Sequence, residues 1–346
     1  MKFTLFCQHM KLVLQQYGFD HSNCKLTPFG SGLINETMLL EAGGCKYILQ
    51  RINSEVFKSP LDIGYNIRLI ANQLSLHHPD YFFIAPLTTT TGANMVEHEG
   101  AYFRIFPFME GLHAVQVVES AEQAYEAACQ FAGFCKRLHG LDPSSLKITI
   151  PSFHDLTLRM QQFEYALVHG DQGRKAFCRK WIGYILEHKK ILGEFEFHKS
   201  DLCTRIMHHD TKINNVLFDD RNKGMAVIDL DTVMPGYFIS DAGDMMRTFL
   251  SPVSEEESEI GMINVRKEYY QAIVDGYLSE MGDELREAEK ALFPLAGKYM
   301  IYMQAIRFLT DHLNNDIYYG AKYEGHNLVR AKNQIELLRL FCDQIK

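Results

Sequence analysis

Several features are scarce in this 346-residue sequence, and each absence narrows the class of protein. None of the eight cysteines forms a Cys-x-x-Cys pair, which favours free thiols over a zinc site or a disulfide framework. No stretch offers the ~20 apolar residues of a membrane span, and polar residues interrupt the N-terminal segment where a signal peptide would be apolar. The formal net charge of −8 disfavours general nucleic-acid binding. We therefore expect a cytoplasmic protein without a nucleic-acid or membrane partner.

The first third of the sequence predicts a small antiparallel sheet with one inserted helix. Apolar residues at helical spacing predict a helix at the start of the chain, and it stops at Gly18. Strand-like runs then cover residues 25–29, 34–41 and 45–52, and Gly43-Gly44 between the last two is a hairpin signal. Ser59-Pro60 is typical of a helix start, with Ser59 as the N-cap. The residues that predict the first helix are Phe3, Phe6, Met10, Val13 and Tyr17.

The rest of the sequence is mostly helical in pattern. Ser120 and Gln123 form a capping box for a helix that runs to about Leu138, and further helical patterns cover 155–168 and 174–196. A short β segment surrounds 205–230, with a turn at 219–224, and helices follow from about 241. The length predicts two lobes. We expect an α+β protein, with a small sheet lobe over 1–107, a hinge at about 106–111, and a larger helical lobe over 108–346.

The strongest functional signal is the segment from His208 to Asn215, which has the form H-x-D-x-x-x-x-N. Asp229 follows it inside an apolar run. Phosphoryl transfer from ATP needs a carboxylate that orients the acceptor hydroxyl, and oxygen ligands that hold Mg²⁺ against the triphosphate. Asp210 fits the first role, and Asn215 and Asp229 fit the second. A metal-ligand cluster and an ordinary polar turn are the alternatives for the two adjacent histidines.

Two neighbours of Asp210 complete this interpretation of the motif. We expect His208 to brace the loop through hydrogen bonds rather than to react. Lys212 is placed to offset charge that develops on the transferred phosphoryl group. The transition state of such reactions is loose, so positioning and electrostatics supply most of the rate.

A second signal is the glycine turn Gly30-Ser31-Gly32 between two predicted strands. Backbone N–H groups in such a turn can approach the phosphates of ATP, although the same pattern also occurs as an ordinary hairpin turn. With the motif around Asp210 present, we interpret the turn as a phosphate loop. The hinge residues Pro107, Phe108 and Met109 are the expected contacts of the nucleotide on the other side.

In its order of motifs, the chain resembles the aminoglycoside phosphotransferase and choline kinase group, which has the bilobal protein-kinase fold. It resembles the bacterial N-acetylhexosamine 1-kinases more closely, through Asp210–Leu217 (DTKINNVL) and Ile228–Gly236 (IDLDTVMPG). Later segments around Arg307, Asp316 and His326–Arg330 also match, so the likeness extends over nearly the whole chain.

This resemblance implies that ATP and Mg²⁺ are used to phosphorylate the anomeric hydroxyl of N-acetylglucosamine or N-acetylgalactosamine. It implies that Asp210 contacts the attacking hydroxyl and that Asn215 and Asp229 bind the metal. The implied sugar pocket is lined by Lys212, Asp231, Arg307 and Tyr318. From the residues alone, a structural ion pair for Arg307 or Asp316 and a core position for Tyr318 stay open. We expect a monomer or a weak homodimer.

The sequence departs from protein kinases in one respect. Their strand lysine, paired with a helix glutamate, holds the phosphates. Here the strand reads Tyr47-Ile48-Leu49-Gln50-Arg51, and the helix after it has no glutamate. Either Gln50 or Arg51 takes over that contact, or the metal and the glycine loop hold ATP.

Three other functions remain open at this point. A kinase of the same fold could act on choline, homoserine, a fructosamine or an aminoglycoside. A non-catalytic nucleotide-binding regulator would not need Asp210, Asn215 and Asp229 together. A hydrolase would hold its metal through histidine and aspartate side chains.

Overall fold

The computed structural model describes residues 10–30 and 34–346, and the chain divides into two compact units. The first unit contains the described residues up to Leu112, and also residues 140–151 and 226–234, which sequence patterns did not indicate. The second contains residues 113–139, 152–225 and 235–346. An antiparallel sheet in the first unit and mainly helices in the second confirm the predicted α+β class. Within the described ranges, every helix is too short or too polar to cross a bilayer.

The sheet of the first unit has five antiparallel strands in the order β1-β2-β3-β5-β4. Residues 10–16 form a helix, α1, and Val13 and Leu14 pack with Leu40, Leu49 and Ile105 in the core. The N-terminal helix is thus confirmed over these residues, while Phe3 and Phe6 lie outside the described residues. The strands are β1 (Cys24–Pro28), β2 (Glu36–Ala42), β3 (Cys45–Ile52), β4 (Val96–His98) and β5 (Ala101–Pro107).

The predicted hairpin at Gly43-Gly44 is confirmed. Ala42 pairs with Cys45, so the loop has only two residues, and both glycines have positive φ angles (59° and 79°). Two consecutive residues in the left-handed region form the turn whose twist matches that of the strands, and glycine adopts it without steric cost. This turn fixes the register of β2 against β3.

Helix α2 (Pro60–His77) begins where Ser59-Pro60 predicted, although the Ser59 side chain makes no capping hydrogen bond. Its Asn66 is completely buried and connects the two later segments to the first unit. The amide nitrogen of Asn66 donates to the carbonyl oxygens of Lys147 (2.9 Å) and Val233 (3.1 Å), and its Oδ1 accepts from the Lys147 N–H (2.8 Å). The amide side chain therefore satisfies three backbone groups that burial would otherwise leave unpaired.

The second unit is built mainly from helices. Half of the predicted capping box is present: Ser120 accepts a hydrogen bond from the N–H of Gln123 (3.1 Å), but the Gln123 side chain accepts from the N–H of Glu119 (2.9 Å) rather than from that of Ser120. The predicted helix over 174–196 is divided into three. The helices are α3 (Ala121–Arg137), α4 (Leu156–His169), α5 (Gln172–Phe177), α6 (Arg179–Glu187), α7 (Lys190–His198), α8 (Phe238–Phe249), α9 (Lys267–Met281), α10 (Glu287–Lys290), α11 (Phe293–Leu313) and α12 (His326–Gln344).

Short strands accompany these helices and confirm the predicted β segment. They are β6 (His113–Ala114), β7 (Arg205–Met207), β8 (Val216–Phe218), β9 (Gly224–Val227) and β10 (Met234–Gly236). The predicted turn after β8 is closed by Asp219, whose Oδ1 accepts from the N–H groups of Arg221 and Lys223 (both 2.9 Å).

Helix α11 is the centre of the second unit, because it packs against α4, α7, α8 and α12. Its contact with α8 is especially close at Gly243. A Cβ atom there would collide with the carbonyl oxygen of Ala296 and with the side chain of Met300. The absence of a side chain at residue 243 therefore sets the distance between the two helices.

We predict that Gly243→Ala destabilises the protein by about 1–3 kcal/mol, because the added methyl group overpacks this crossing. Gly193→Ala in α7 is the matched control. A Cβ at Gly193 meets no atom within 4 Å, and alanine favours helices over glycine by about 0.5–1 kcal/mol. Urea unfolding should give opposite signs for the two variants, and equal effects would contradict the close crossing.

Candidate active site

The H-x-D-x-x-x-x-N segment lies in the second unit, in the loop that joins β7 to β8. His208 and His209 are buried, and their rings contact different groups. The His208 ring packs edge-on against Phe131 (5.2 Å between centroids), and its Nδ1 accepts from the N–H of Asp210 (3.3 Å). The His209 ring lies 5.4 Å from that of His154. Neighbouring histidines with separate partners are arranged as structural supports of the loop.

Two carboxylates of α8 hold the backbone of this loop. Asp241 accepts from the N–H groups of His208 (2.9 Å) and His209 (2.8 Å), and Asp244 accepts from the N–H of Thr211 (3.0 Å). The hydroxyl of Thr211 in turn donates to the carbonyl oxygen of Asp241 (2.7 Å). The loop needs such anchors, since His209 has a φ of 65° and the segment forms no sheet or helix of its own there.

Asp210, Lys212 and Asn215 lie together on this anchored loop. The Nζ of Lys212 is 3.0 Å from Oδ1 of Asp210. The amide nitrogen of Asn215 donates to the carbonyl oxygen of Asp210 (2.8 Å) and to its Oδ2 (3.1 Å). The Asp210 carboxylate remains 22% exposed, so it is accessible to a ligand while its orientation is fixed.

The local charges keep Asp210 ionised. Burial, the largest single effect, acts to raise the pKa of Asp210, but the ammonium group of Lys212, together with His208 and Arg247, holds that pKa below its usual value. Asp210 in turn raises the pKa of Lys212. The loop therefore presents a carboxylate and an ammonium side by side, both charged at neutral pH.

A chain of charged side chains binds one of the two anchors, Asp244. Burial raises the pKa of Asp241 to about 7 and also raises that of Asp244. Arg247 binds Asp244 through its Nε (2.9 Å) and Glu255 through its Nη1 (2.7 Å). Although burial opposes the ionisation of Glu255, its cationic neighbours Arg247 and Arg330 hold its pKa at about 2.

Our sequence interpretation did not include Asp241, Asp244 or Arg247. Their spacing could have indicated a role, because three charged residues at i, i+3 and i+6 lie on one face of α8. They are buried in a helix whose other residues are largely apolar. Buried charges need partners. Asp241 and Asp244 bind the loop that carries Asp210, and Arg247 binds Asp244.

The proposed metal ligands have the chemistry that Mg²⁺ requires. Asn215 uses its amide nitrogen on Asp210, so its Oδ1 is the atom left to face a cation. Asp229 lies in the first unit, at the start of a short helical turn, with a left-handed backbone (φ 60°). Both residues supply hard oxygen atoms. Among the described residues, no group of three or more His, Cys, Asp or Glu side chains is placed to hold a metal.

Phe29, just before the predicted glycine turn, contacts Phe108 of the predicted hinge in the first unit. Gly30 has a φ of 75°, and the ring of its neighbour Phe29 packs edge-on against the ring of Phe108 (5.8 Å). The N–H of Phe108 donates to the carbonyl oxygen of Lys46 (3.2 Å), just after Pro107 ends β5. Met109 follows, and its carbonyl oxygen accepts from the N–H of Leu112 (3.3 Å). Ser31 and Gly32 lie outside the described residues.

The sheet register places Gln50 beside an arginine of the neighbouring strand. Gln50 on β3 lies opposite Thr37 on β2 and Arg104 on β5, so the three side chains form a row across one face. The Nε2 of Gln50 donates to Thr37 (3.3 Å). Its Oε1 accepts two hydrogen bonds from Arg104, from Nε (3.0 Å) and Nη2 (2.8 Å). The amide of Gln50 is thus committed to orienting Arg104.

Arg104 is 1% exposed and forms an ion pair with Asp231, which is 2% exposed (Nη1 to Oδ1, 2.5 Å). Asn35 donates to the other oxygen of Asp231 (2.7 Å). The resemblance implied that the carboxylate of Asp231 lines a sugar pocket. In the structure, Arg104 and the amide of Asn35 bind it within the first unit. This network fixes the segment that begins at Asp229. Arg51, by contrast, is half-exposed on the other face and forms an ion pair with Glu36 (3.4 Å).

Arg307 and Tyr318 line one cavity of about 390 Å³ in the second unit, beside α4 and α11. Tyr318 is 65% exposed, which excludes a core role for it. Asp316 forms an ion pair with Arg174 (2.6 Å) and accepts a hydrogen bond from the amide of Asn327 (2.9 Å). These contacts agree with the alternative of a structural ion pair for Asp316. The cavity is lined by Arg159, Gln161, Gln162, Tyr165, Arg307, Thr310, Asp311, Asn314, Tyr318 and Tyr319.

Comparison with known proteins gives a consistent family and fold. The profile of the phosphotransferase enzyme family matches residues 25–288, which is well over half of the chain. A spectinomycin phosphotransferase, solved with ADP and spectinomycin, has a TM-score of 0.61 at 13% identity and covers 96% of this chain and 97% of its own. A microcompartment-associated aminopropanol kinase has a TM-score of 0.60 at 16% identity, with 96% and 95% covered.

A choline kinase from Cryptosporidium parvum Iowa II is also similar, with a TM-score of 0.59 at 11% identity, and 97% of this chain and 96% of that chain covered. At these identities the structural likeness establishes the fold alone. The similar proteins differ in their acceptors, so the acceptor has to be inferred from the residues of this chain.

We predict that Arg104→Gln destabilises the protein by about 3–5 kcal/mol, because it leaves the buried carboxylate of Asp231 without its cation. Arg51→Gln, one strand away and half-exposed, should cost no more than about 1 kcal/mol. Urea unfolding of the two variants measures the difference. Similar losses in both would show that Arg104 and Asp231 are not coupled as the structure indicates.

Proposed function

Because this chain belongs to the phosphotransferase enzyme family, we propose that it transfers the γ-phosphoryl group of ATP to the anomeric hydroxyl of an N-acetylhexosamine. The observation that carries the proposal is the ionised, partly exposed Asp210, held beside Lys212 and Asn215 on a loop anchored by α8. Transfer to an alcohol needs such a fixed carboxylate. The close resemblance of the segments around Asp210 and Asp229 to the hexosamine kinases supports the choice of acceptor.

Asp210 accepts the hydrogen bond of the sugar hydroxyl and aims its oxygen at the phosphorus atom. The low pKa of Asp210 suits this orienting role, because the carboxylate stays ionised as the acceptor binds. The proton leaves the hydroxyl late in a loose transition state, and Asp210 then receives it. Lys212, at 3.0 Å from Asp210, offsets the charge that develops on the phosphoryl oxygens.

Asn215 and Asp229 are the proposed oxygen ligands of Mg²⁺. Bound Mg²⁺ offsets the charge of the triphosphate. In the first unit, Gly30 and the edge-on pair of Phe29 and Phe108 frame the proposed nucleotide site, with the hinge residues Pro107 and Met109 at its border. Arg104 acts on this site through Asp231, and Gln50 orients Arg104.

The cavity beside Arg307 and Tyr318 is the proposed acceptor site. Its volume of about 390 Å³ lies within the range of small-molecule sites. A series of ring contacts leads from it to the catalytic loop: Arg307 lies 5.6 Å from the ring of Phe153, Phe153 stacks on His154 (4.4 Å), and His154 contacts His209. The sequence places His209 directly before Asp210.

The charge of this cavity favours a sugar over an amine. Choline, ethanolamine and aminoglycosides are cations, and the lining would repel them because its two arginines outnumber its one carboxylate, Asp311. Tyrosine faces and the amides of Gln161, Gln162 and Asn314 instead suit the apolar faces and hydroxyl groups of a sugar ring. This comparison supports the hexosamine over the other alcohols that kinases of this fold phosphorylate.

We predict Mg²⁺-dependent ATP consumption with N-acetylglucosamine or N-acetylgalactosamine, and none above background with choline, ethanolamine or spectinomycin. A coupled assay for ADP measures this directly. The product should be a glycosyl phosphate and therefore labile to mild acid. Phosphate on a primary hydroxyl would refute the anomeric assignment. Nucleotide binding without turnover of any acceptor would favour the alternative that the protein is a non-catalytic nucleotide-binding regulator.

We predict that Asp210→Asn lowers kcat about 10³-fold, which corresponds to about 4 kcal/mol of lost transition-state stabilisation. The amide keeps the size of the side chain but cannot accept the proton. Asp219→Asn, in the turn after β8, is the control and should leave kcat unchanged. Turnover of the Asp210→Asn protein within tenfold of the wild type would exclude the proposed role of this carboxylate.

A further inference from the structure

Two arginine side chains in the acceptor cavity have no carboxylate partner among the described residues. Arg159 comes from α4 and Arg307 from α11. The hydrogen bonds of Arg159 all go to neutral oxygens: Oε1 of Gln162 (3.0 Å) and the carbonyls of Ser152 (2.9 Å) and Phe153 (3.2 Å). Arg307 likewise donates to Oε1 of Gln304 (3.1 Å). Arginine is always charged, so both cations lack a counter-charge.

Arg159 also has an unused donor. The side chain is 8% exposed, and within the part of the chain that the structure describes its buried Nε finds no hydrogen-bond acceptor. A buried N–H without a partner costs free energy, and a group on a charged side chain costs more than a neutral one. Since Arg159 lines the cavity, a ligand in the cavity is the available source of that acceptor.

The surroundings of Arg307 increase the positive potential. Its guanidinium lies 5.4 Å from the ring of Tyr319 and 5.9 Å from that of Tyr318, so aromatic faces stabilise it without neutralising it. Burial, and after it the charge of Arg307, lower the pKa of Arg159. The two guanidinium groups therefore act on each other across a poorly solvated space.

The acidic groups nearby are engaged elsewhere. Asp311 also lines the cavity, but its oxygens accept from the N–H groups of Tyr318 (2.7 Å) and Tyr319 (2.9 Å) and from the amide of Asn327 (3.0 Å). Asp155 accepts the capping bond from the N–H of Leu158 (2.9 Å). Neither carboxylate forms an ion pair with Arg159 or Arg307 in the described structure. Two guanidinium groups against the single carboxylate of Asp311 leave a net positive charge in the lining.

We propose that Arg159 and Arg307 bind an anionic substituent of the acceptor, so that the preferred substrate is an N-acetylhexosamine that carries a carboxylate or a phosphate. A guanidinium fork matches either anion with paired, charge-assisted hydrogen bonds. This inference rests on the proposed function, which places the acceptor in the same cavity. It assigns to Arg159 a role in specificity, since the neutral sugar leaves its Nε without an acceptor.

The test compares N-acetylglucosamine with N-acetylmuramic acid, which carries a carboxylate, and with N-acetylglucosamine 6-phosphate. We expect the wild-type protein to prefer one of the acidic sugars by about tenfold or more in kcat/KM. Arg159→Gln should abolish the preference, so that the ratio of kcat/KM for the acidic sugar to kcat/KM for N-acetylglucosamine falls to about one, and Arg159→Lys should keep part of the preference. Arg179→Gln, an exposed change on α6, controls for net charge.

Binding by calorimetry without nucleotide separates this inference from the proposed function. Tighter binding of an acidic sugar that depends on Arg159, without any turnover, would refute the kinase assignment and support the anion site. Turnover of N-acetylglucosamine without an acidic preference would overturn the anion site and leave the kinase assignment intact. An equal loss for all acceptors in both Arg159 variants would assign the residue a structural role and would also overturn the inference.

Discussion

The binding of two consecutive backbone N–H groups by the Asp241 carboxylate is the constraint on which the candidate site depends. The loop between β7 and β8 has no sheet or helix ladder of its own at His208 and His209, so a side chain has to replace the missing backbone partners. That side chain is itself positioned by α8, which packs on α11 at a distance set by Gly243. The orientation of Asp210 is thus a property of the helical core.

Local patterns in the sequence predicted much of this architecture. The hairpin at Gly43-Gly44, the start of α3 at Ser120 and the turn after β8 depend on residues a few positions apart, and each was found where expected. The spacing from Asp210 to Asn215 is also local, and the two side chains are hydrogen-bonded. Interactions between residues that are close in sequence can therefore be predicted from a single sequence.

Long-range partners left no such signature. Arg104 is one charge in an apolar strand, and its partner Asp231 lies far along the chain. Asn66 holds two distant segments through backbone groups, which any residue would supply. The helical pattern over 174–196 is divided at residue 178 and at 188–189, and periodicity alone gave no signal for either break. Arg159 and Arg307 come together only through the packing of α4 against α11.

The pairing of Gln50 with Arg104 bears on how kinase-like sequences are classified. A search that requires a lysine between Tyr47 and Arg51 would place this chain among inactive relatives. A positive charge is nevertheless present in the sheet, one strand away, where Gln50 orients Arg104 and Asp231 pairs with it. Side-chain function in a sheet is preserved by position in space, so substitutions should be judged across neighbouring strands before an activity is considered lost.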